Sequence, residues 1–263
     1  MRNTAPDGGI GSGERIAKWI ARAGVCSRRD AERLIAAGRV RVDGRTVASP
    51  ALRVGPAQRV EIDGEPLPAF EPPRLFRFHK PRGVLTTARD PRGRPTVYTL
   101  LPPDLPRLMP VGRLDLNSEG LLLLTNDGML KRRLELPATG WIRRYRVRAF
   151  GRVAAARLEK LAEGITVEGV AYGPIDARID REQGANLWLT VALREGRNRE
   201  IRRVLQHLGL EVGRLIRISY GPFHLGGLPK RAIAEVPPKA LREQLGGLLP
   251  EAPIGRGPRG GGR

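Results

Sequence analysis

Apolar residues near the start of the chain recur at helical spacing. Ile16, Ala17, Ile20 and Ala23 form one stripe, while Arg15, Lys18 and Arg22 fall at i, i+3 and i+7 on another face, which predicts a short basic helix that Gly24 stops. Ser27, followed three residues later by Asp30, reads as an N-cap with an acidic partner and opens a second helix through Ala31, Leu34 and Ile35. After Gly38 the period changes to two. Val40 and Val42 alternate with Arg39 and Arg41, Asp43-Gly44 supplies a hairpin turn, and Val60 to Ile62 leads to a second Asp-Gly turn at Asp63-Gly64.

Pro66, Pro68, Pro72 and Pro73 then crowd a stretch that favours extended backbone over a packed element, so 68–73 is read as a linker. Beyond it, strand-like runs (Leu75 to Phe78, Leu121 to Thr125, Tyr145 to Phe150, Leu187 to Leu193) mix with helix-like ones near Leu130 to Leu136, Val153 to Leu161 and Ile201 to Leu208. The pattern predicts an α+β protein of two domains, 14–67 and 74–240. The glycine-rich residues 1–13 are expected to be a disordered lead. Residues 241–263 are expected to be a flexible basic tail, although a short leucine-bearing helix after Pro238 fits the sequence as well.

Charge narrows the partner. Of 263 residues, 47 are Lys or Arg and 27 Asp or Glu, a formal net charge of +20 that favours a polyanion. The longest pure leucine run, Leu121 to Leu124, is far shorter than the roughly 20 apolar residues of a membrane span. Neither a secretory leader nor a pair of cysteines is present, since Cys26 stands alone, and a cytoplasmic protein is expected. Cys26, His79, His207 and His224 have no metal-ligand spacing, and no glycine-rich nucleotide cradle is found. The expected chemistry therefore uses no metal and no cofactor.

One segment concentrates candidate chemistry. In PVGRLDLNSEGLLLLTNDG, residues 110–128, a short buried strand runs from Leu121 to Thr125 into the Asn126-Asp127-Gly128 turn, with Asp115 just upstream. Arg113, two residues from Asp115, shares one side of an extended backbone with it and is expected to hold its carboxylate ionised and oriented. Tyr145 alternates with Arg144 and Arg146, which puts it on the apolar face of its strand with Val147 and Ala149. On the helix after Asn198, Arg202 lies beside the stripe of Ile201, Val204, Leu205 and Leu208.

These segments carry two resemblances. Residues 14–67, with S-R-R-D-A at Ser27 to Ala31 and G-R-V-R-V-D-G at Gly38 to Gly44, resemble the small alpha-L RNA-binding module named after a ribosomal small-subunit protein. The larger part is similar to the pseudouridine synthases of the RsuA, RluB, RluE and RluF branch. That likeness rests on G-R-L-D-L-N-S-E-G-L-L-L-L-T-N-D-G at 112–128 and on three further segments in order: H-K-P-R-G-V-L-T-T at 79–87, R-R-Y-R-V at 143–147 and E-G-R-N-R-E-I-R-R at 195–203.

The resemblance implies a mixed, mainly antiparallel sheet and cofactor-free isomerisation of a flipped uridine to pseudouridine. Asp115 is then the catalytic aspartate, acting on the ribose either at C1′ or on the C2′ proton. Tyr145 stacks on the uracil. Arg202 is the basic residue that pairs with the aspartate, with Arg199 or Arg203 in its place if the register is off by a turn. Lys80 and Arg82 bind phosphate or order their loop, and Leu215 or Ile216 lines the uracil pocket or packs the core.

Arg15, Lys18, Arg22, Arg28, Arg29 and Arg33 form the expected RNA face of the first domain. The implied partner is ribosomal RNA or a ribosomal assembly intermediate, with large-subunit RNA preferred and small-subunit RNA open, bound by a monomer away from any membrane. The competing reading is a ribosome-assembly factor or RNA chaperone that binds RNA without catalysis.

Overall fold

The computed structural model describes residues 13–249; the expected lead, apart from Gly13, and all of the expected tail from residue 250 lie outside them. The chain divides after Pro73 into two units.

The first unit opens with a two-residue strand β1 (Glu14–Arg15), followed by α1 (Ile16–Arg22) and α2 (Arg28–Ala36). Arg15 therefore precedes the helix on which its spacing had placed it. Ser27 caps α2 by accepting a 3.1 Å hydrogen bond from the Asp30 N–H, which supplies one donor the helix cannot satisfy internally. Then come β2 (Val40–Val42), β3 (Arg45–Thr46), β4 (Arg53–Val54), β5 (Val60–Ile62) and β6 (Glu65–Pro66), with the sheet ordered β3-β2-β5-β6 and β1 paired to β4. Both Asp-Gly turns have positive φ at both residues, 50° and 78° for Asp43 and Gly44, and 54° and 88° for Asp63 and Gly64, the mirror-image turn that suits twisted strands. Ile16, Ile20, Ala31, Ile35, Val40 and Val54 close a small core. Phe70, expected in the linker, sits edge-on to Trp19 at 4.7 Å and beneath the Arg22 guanidinium at 4.6 Å, so the first unit keeps its hold on the chain past Pro68.

The second unit is built on one nine-stranded sheet. Its elements are β7 (Leu75–Lys80), β8 (Met109–Val111), β9 (Glu119–Thr125), α3 (Gly128–Glu135), β10 (Arg143–Phe150), α4 (Ala155–Glu159), β11 (Ile165–Val167), β12 (Val170–Tyr172), β13 (Ile175–Gln183), β14 (Asn186–Leu193), α5 (Glu200–His207), β15 (Glu211–Tyr220), β16 (Phe223–His224), β17 (Ile233–Glu235) and α6 (Pro238–Leu245). The order is β13-β14-β10-β15-β9-β7-β17, with β8 also on β9 and β16 on β15, while β11 and β12 pair separately. Within this sheet every pairing is antiparallel except β9 with β15, which gives the mixed, mainly antiparallel sheet the sequence implied.

The leucine run explains itself in this setting. Leu122 and Leu124 point into one core with Phe76, Phe78 and Val147, while Leu121 and Leu123 point into a second with Leu130, Leu134 and Leu241. A strand covered on both faces has no polar alternation to display. The boundary at 240 needs correction, because α6 sends Leu241 and Leu245 into the second core and the described chain stays packed to Leu249.

The same strand creates the opening that becomes the site. β15 meets β9 at only two residues, Ile216 opposite Glu119 and Arg217 opposite Gly120, after which β8 takes that edge from Val111 opposite Leu123. The close approach requires glycine: Gly120 has φ 102°, and a Cβ there would lie 2.3 Å from the Arg217 carbonyl oxygen. Gly120→Ala should therefore lower stability by about 2 to 5 kcal/mol, through backbone strain and a clash with main chain that has nowhere to move. Urea unfolding checks this against Gly93→Ala, where φ is also positive but nothing lies within 4 Å and about 1 to 2 kcal/mol is expected.

Candidate active site

Residues 112–118 run irregularly between β8 and β9, so their backbone carbonyls have no ladder to join. Each carbonyl from 114 to 118 nevertheless has a donor. The Thr86 hydroxyl donates to the Leu114 oxygen at 2.9 Å, and Lys80 Nζ to the Asp115 oxygen at 3.1 Å. The Gly83 N–H donates to the Leu116 oxygen at 2.8 Å. Arg202 Nη2 donates to the Asn117 oxygen at 3.0 Å, and Lys80 Nζ again to the Ser118 oxygen at 2.8 Å. Three donors come from the His79–Thr87 segment and one from α5, so two motifs far apart in sequence hold one loop. Asp115 is left with its main chain fixed, and among the described residues its carboxylate has no hydrogen bond or ion pair.

Lys80 is 0 % exposed, which corrects the expectation of a phosphate ligand. The loop-ordering alternative is the one its contacts describe. Arg82 is exposed and among the described residues donates to the Gly213 carbonyl, at 3.4 Å, which leaves it open to an anion. Arg113 is also exposed and makes no ion pair with Asp115 among the described residues.

Arg202 likewise forms no direct pair with Asp115. Its two Nη atoms bond the Val212 and Asn117 oxygens, at 2.8 and 3.0 Å, which ties α5 and β15 to the loop. Burial and the neighbouring Arg199 and Arg82 push its pKa down, with Asp115 opposing. Arg203 points to solvent, whereas Arg199, the N-cap of α5 with φ 53°, lines the pocket.

That pocket, about 700 Å³, opens beside the β9 to β15 contact. Asp115, Tyr145, Leu215 and Ile201 share its wall, Arg217 and Tyr220 are buried within it, and Arg113, Arg194, Arg197 and Arg199 stand exposed around it. Tyr145 faces Arg217 across the β10 to β15 pairing. Of the two alternatives, Leu215 lines the pocket and Ile216 packs against the second core.

Arg143 is a site residue that the sequence did not reveal. Its guanidinium donates to the Arg194 and Glu195 carbonyls and, at 3.0 Å, to the Tyr220 hydroxyl, which fixes the loop after β14. Glu200 braces the same loop by accepting the Arg197 N–H at 2.8 Å, and burial pushes its carboxyl up. The sequence signal for Arg143 was its place as the first residue of the R-R-Y-R-V motif, which assigned it no role.

In the first unit, Arg28, Arg29 and Arg33 are exposed along α2, and Arg15 is exposed on β1. Lys18 and Arg22 both lean on Glu14, and Arg22 also covers Phe70, so part of the expected basic face is neutralised within the unit.

Burial pushes the Lys80 amine down to about 8, against the pull of Asp115 and with the help of Arg217. An amine whose folded pKa lies below its unfolded value holds fewer protons in the folded chain between the two. Stability attributable to Lys80 therefore rises as pH climbs from about 8 towards the ordinary lysine range. The stability of the wild type minus that of Lys80→Met should grow by about 2 to 3 kcal/mol from pH 7 to pH 10 in urea titrations. A difference that stays flat would contradict the assignment.

The chain matches two family models, that for RNA pseudouridylate synthase over residues 74–207 and that for the S4 domain over residues 14–66. It is 44% identical over 231 residues to an uncharacterized RNA pseudouridine synthase of Rickettsia prowazekii, covering 88% of this chain and 97% of that one. It is 41% identical over 230 residues to the ribosomal large subunit pseudouridine synthase B of Escherichia coli strain K12, covering 85% of this chain and 79% of that one. A crystal structure of a pseudouridylate synthase superposes with a TM-score of 0.63 at 26% identity, covering 88% of this chain and 98% of the other. With a loop fastened around Asp115 beside a tyrosine-lined pocket, and with relatives matched along nearly their whole length, this chain belongs to the RNA pseudouridine synthase family and carries an N-terminal S4 domain.

Proposed function

We propose that the pocket isomerises a specific uridine of ribosomal RNA to pseudouridine, with large-subunit RNA as the preferred substrate, free or in an assembly intermediate. In this reading the protein acts as a cytoplasmic monomer. The observation that carries it is the convergence of Asp115 and Tyr145 on one pocket whose rim is arginine. The large-subunit preference is supported by the likeness to the Escherichia coli enzyme of that name. Among the described residues no helix is long and apolar enough to cross a membrane.

Asp115 acts on the ribose, and its unpaired carboxylate suits either route, because a nucleophile or base needs free lone pairs. Tyr145, 8 % exposed, offers its ring to a base drawn out of its stack. Arg202 is a positioning residue that holds the Asn117 carbonyl and, through the Val212 carbonyl, ties α5 and β15 to the loop that carries Asp115. Exposed Arg82, Arg113 and Arg199 meet the phosphates flanking the flipped nucleotide. Arg15, Arg28, Arg29 and Arg33 of the S4 domain contact RNA more remotely, with Lys18 and Arg22 assisting from their pairs with Glu14.

Asp115→Asn should abolish pseudouridine formation while RNA affinity stays within about threefold, since affinity comes mainly from many phosphate contacts. Tyr145→Phe should keep stacking and most activity, and Tyr145→Leu should lose about 1 to 3 kcal/mol of base stacking and turn over correspondingly slowly. Pseudouridine mapping of a ribosomal RNA stem-loop with each variant checks both. Turnover by Asp115→Asn would overturn the assignment.

A further inference from the structure

Arg217 is 3 % exposed, yet it lines the pocket with Asp115 and Tyr145. It stands on β15 between Tyr145 of β10 and Gly120 of β9, at the narrow contact that holds the sheet together. Its Nε donates to the Leu121 carbonyl at 2.7 Å, and its guanidinium lies 5.2 Å from the Tyr220 ring centre. The Nη2 atom is buried and has no hydrogen-bond partner among the described residues. Nor does any carboxylate among them form an ion pair with this arginine, whereas Arg214, three residues earlier, is paired to Glu119 at 2.5 Å.

A buried cation without a carboxylate costs several kcal/mol, and an unsatisfied donor adds to that. Such an arrangement is productive where negative charge develops during a reaction, because a fixed donor there needs no reorganisation at that moment. The position separates this charge from those that serve phosphate. Arg113, Arg194, Arg197 and Arg199 are exposed around the pocket, open to phosphate, while Arg217 is buried in its wall opposite Tyr145.

We infer that Arg217 is a catalytic residue whose guanidinium, with donor capacity left unused by the protein, donates to a carbonyl oxygen of the flipped uracil and stabilises the uracil anion as the glycosidic bond breaks. The inference rests on the pocket being the uridine site proposed above. In that step the C1′–N1 bond breaks and its electron pair stays with the ring, which becomes a monoanion with charge shared among N1, O2 and O4. The electron deficiency left at C1′ is met by Asp115, through attack on C1′ or removal of the C2′ proton. After the ring turns, C5 bonds to C1′, displacing Asp115 or recovering the C2′ proton. C5 then loses its proton and N1 gains one, so the product is an isomer with no net proton change. The anion exists on either route, and so does the need for a cation beneath it.

Fluorine at C5 stabilises the uracil anion by itself, and this provides a readout that a structural role would not move. Single-turnover rates are measured as loss of the starting nucleoside after nuclease digestion, on matched stem-loops carrying uridine or 5-fluorouridine at the target. The proteins are wild type, Arg217→Gln and Arg217→Lys, with RNA affinity and melting temperature recorded for each. On uridine, Arg217→Gln should be about 100- to 1000-fold slower. The loss should be at least about fivefold smaller on 5-fluorouridine, and Arg217→Lys should fall between wild type and Arg217→Gln. Should Arg217→Gln fail to fold, Arg217→Lys carries the test with the same asymmetry between substrates. Equal losses on the two substrates, or an unchanged rate in a folded Arg217→Gln, would overturn the inference. A wild type that forms no pseudouridine would instead fault the proposed substrate.

Discussion

Five consecutive carbonyls, Leu114 to Ser118, must be satisfied without secondary structure, and much of the catalytic unit is arranged to do it. A buried acceptor left unpaired costs about 1 to 3 kcal/mol, so a loop that threads under a sheet edge is stable only if donors are brought to it. Lys80 supplies two from the end of β7, the Gly83 N–H and Thr86 hydroxyl supply two more, and Arg202 reaches over from α5. The motif segments at 79–87 and 195–203 thus have a structural reading that does not depend on touching RNA. They hold the backbone on either side of Asp115, and the side chain is left for chemistry.

Charge follows the same division between inside and outside. The surplus of basic residues sits mostly on the surface, where a polyanion can meet it, but Lys80, Arg202 and Arg217 are drawn in around Asp115. None of the three bonds its carboxylate. A direct ion pair would occupy the lone pairs that attack on ribose requires, whereas cations held on backbone carbonyl oxygens leave the carboxylate accessible. Glu119, the one buried acid next to the loop, is engaged by Arg214 and Lys230 and so does not compete.

Much of this was legible in the sequence, and what was missed has physical causes. The Ser27 cap, both Asp-Gly turns and the buried Leu121 to Thr125 strand depend on neighbours in sequence, and local pattern revealed them. β13 went unread because it is the edge strand of the sheet: Asp176, Arg178, Arg181 and Glu182 are exposed along it, and the apolar alternation is thin. β15 went unread because arginines interrupt its apolar residues, and two of them, Arg214 and Arg217, turn inward to partners that no local rule reveals. Arg113 was assigned by its proximity to Asp115, which it does not pair with among the described residues, and of the two readings open for Lys80, phosphate binding or loop ordering, its burial favours the second. A residue two positions from an aspartate need not touch it in a turning loop, and a lysine with three carbonyls to bond can be wholly buried.

Lys80 fixes the catalytic loop from inside, and its removal separates chemistry from binding. Single-turnover pseudouridine formation and RNA affinity are measured together on folded Lys80→Met at pH 7. With the Ser118 carbonyl released and the Asp115 carbonyl left with the Ser118 N–H alone, Asp115 should drift from its productive position, so the rate should fall about 100-fold, the scale of a 1 Å misplacement, while the dissociation constant for RNA stays within about twofold. A normal rate, or a loss of affinity as large as the loss of rate, would contradict the account.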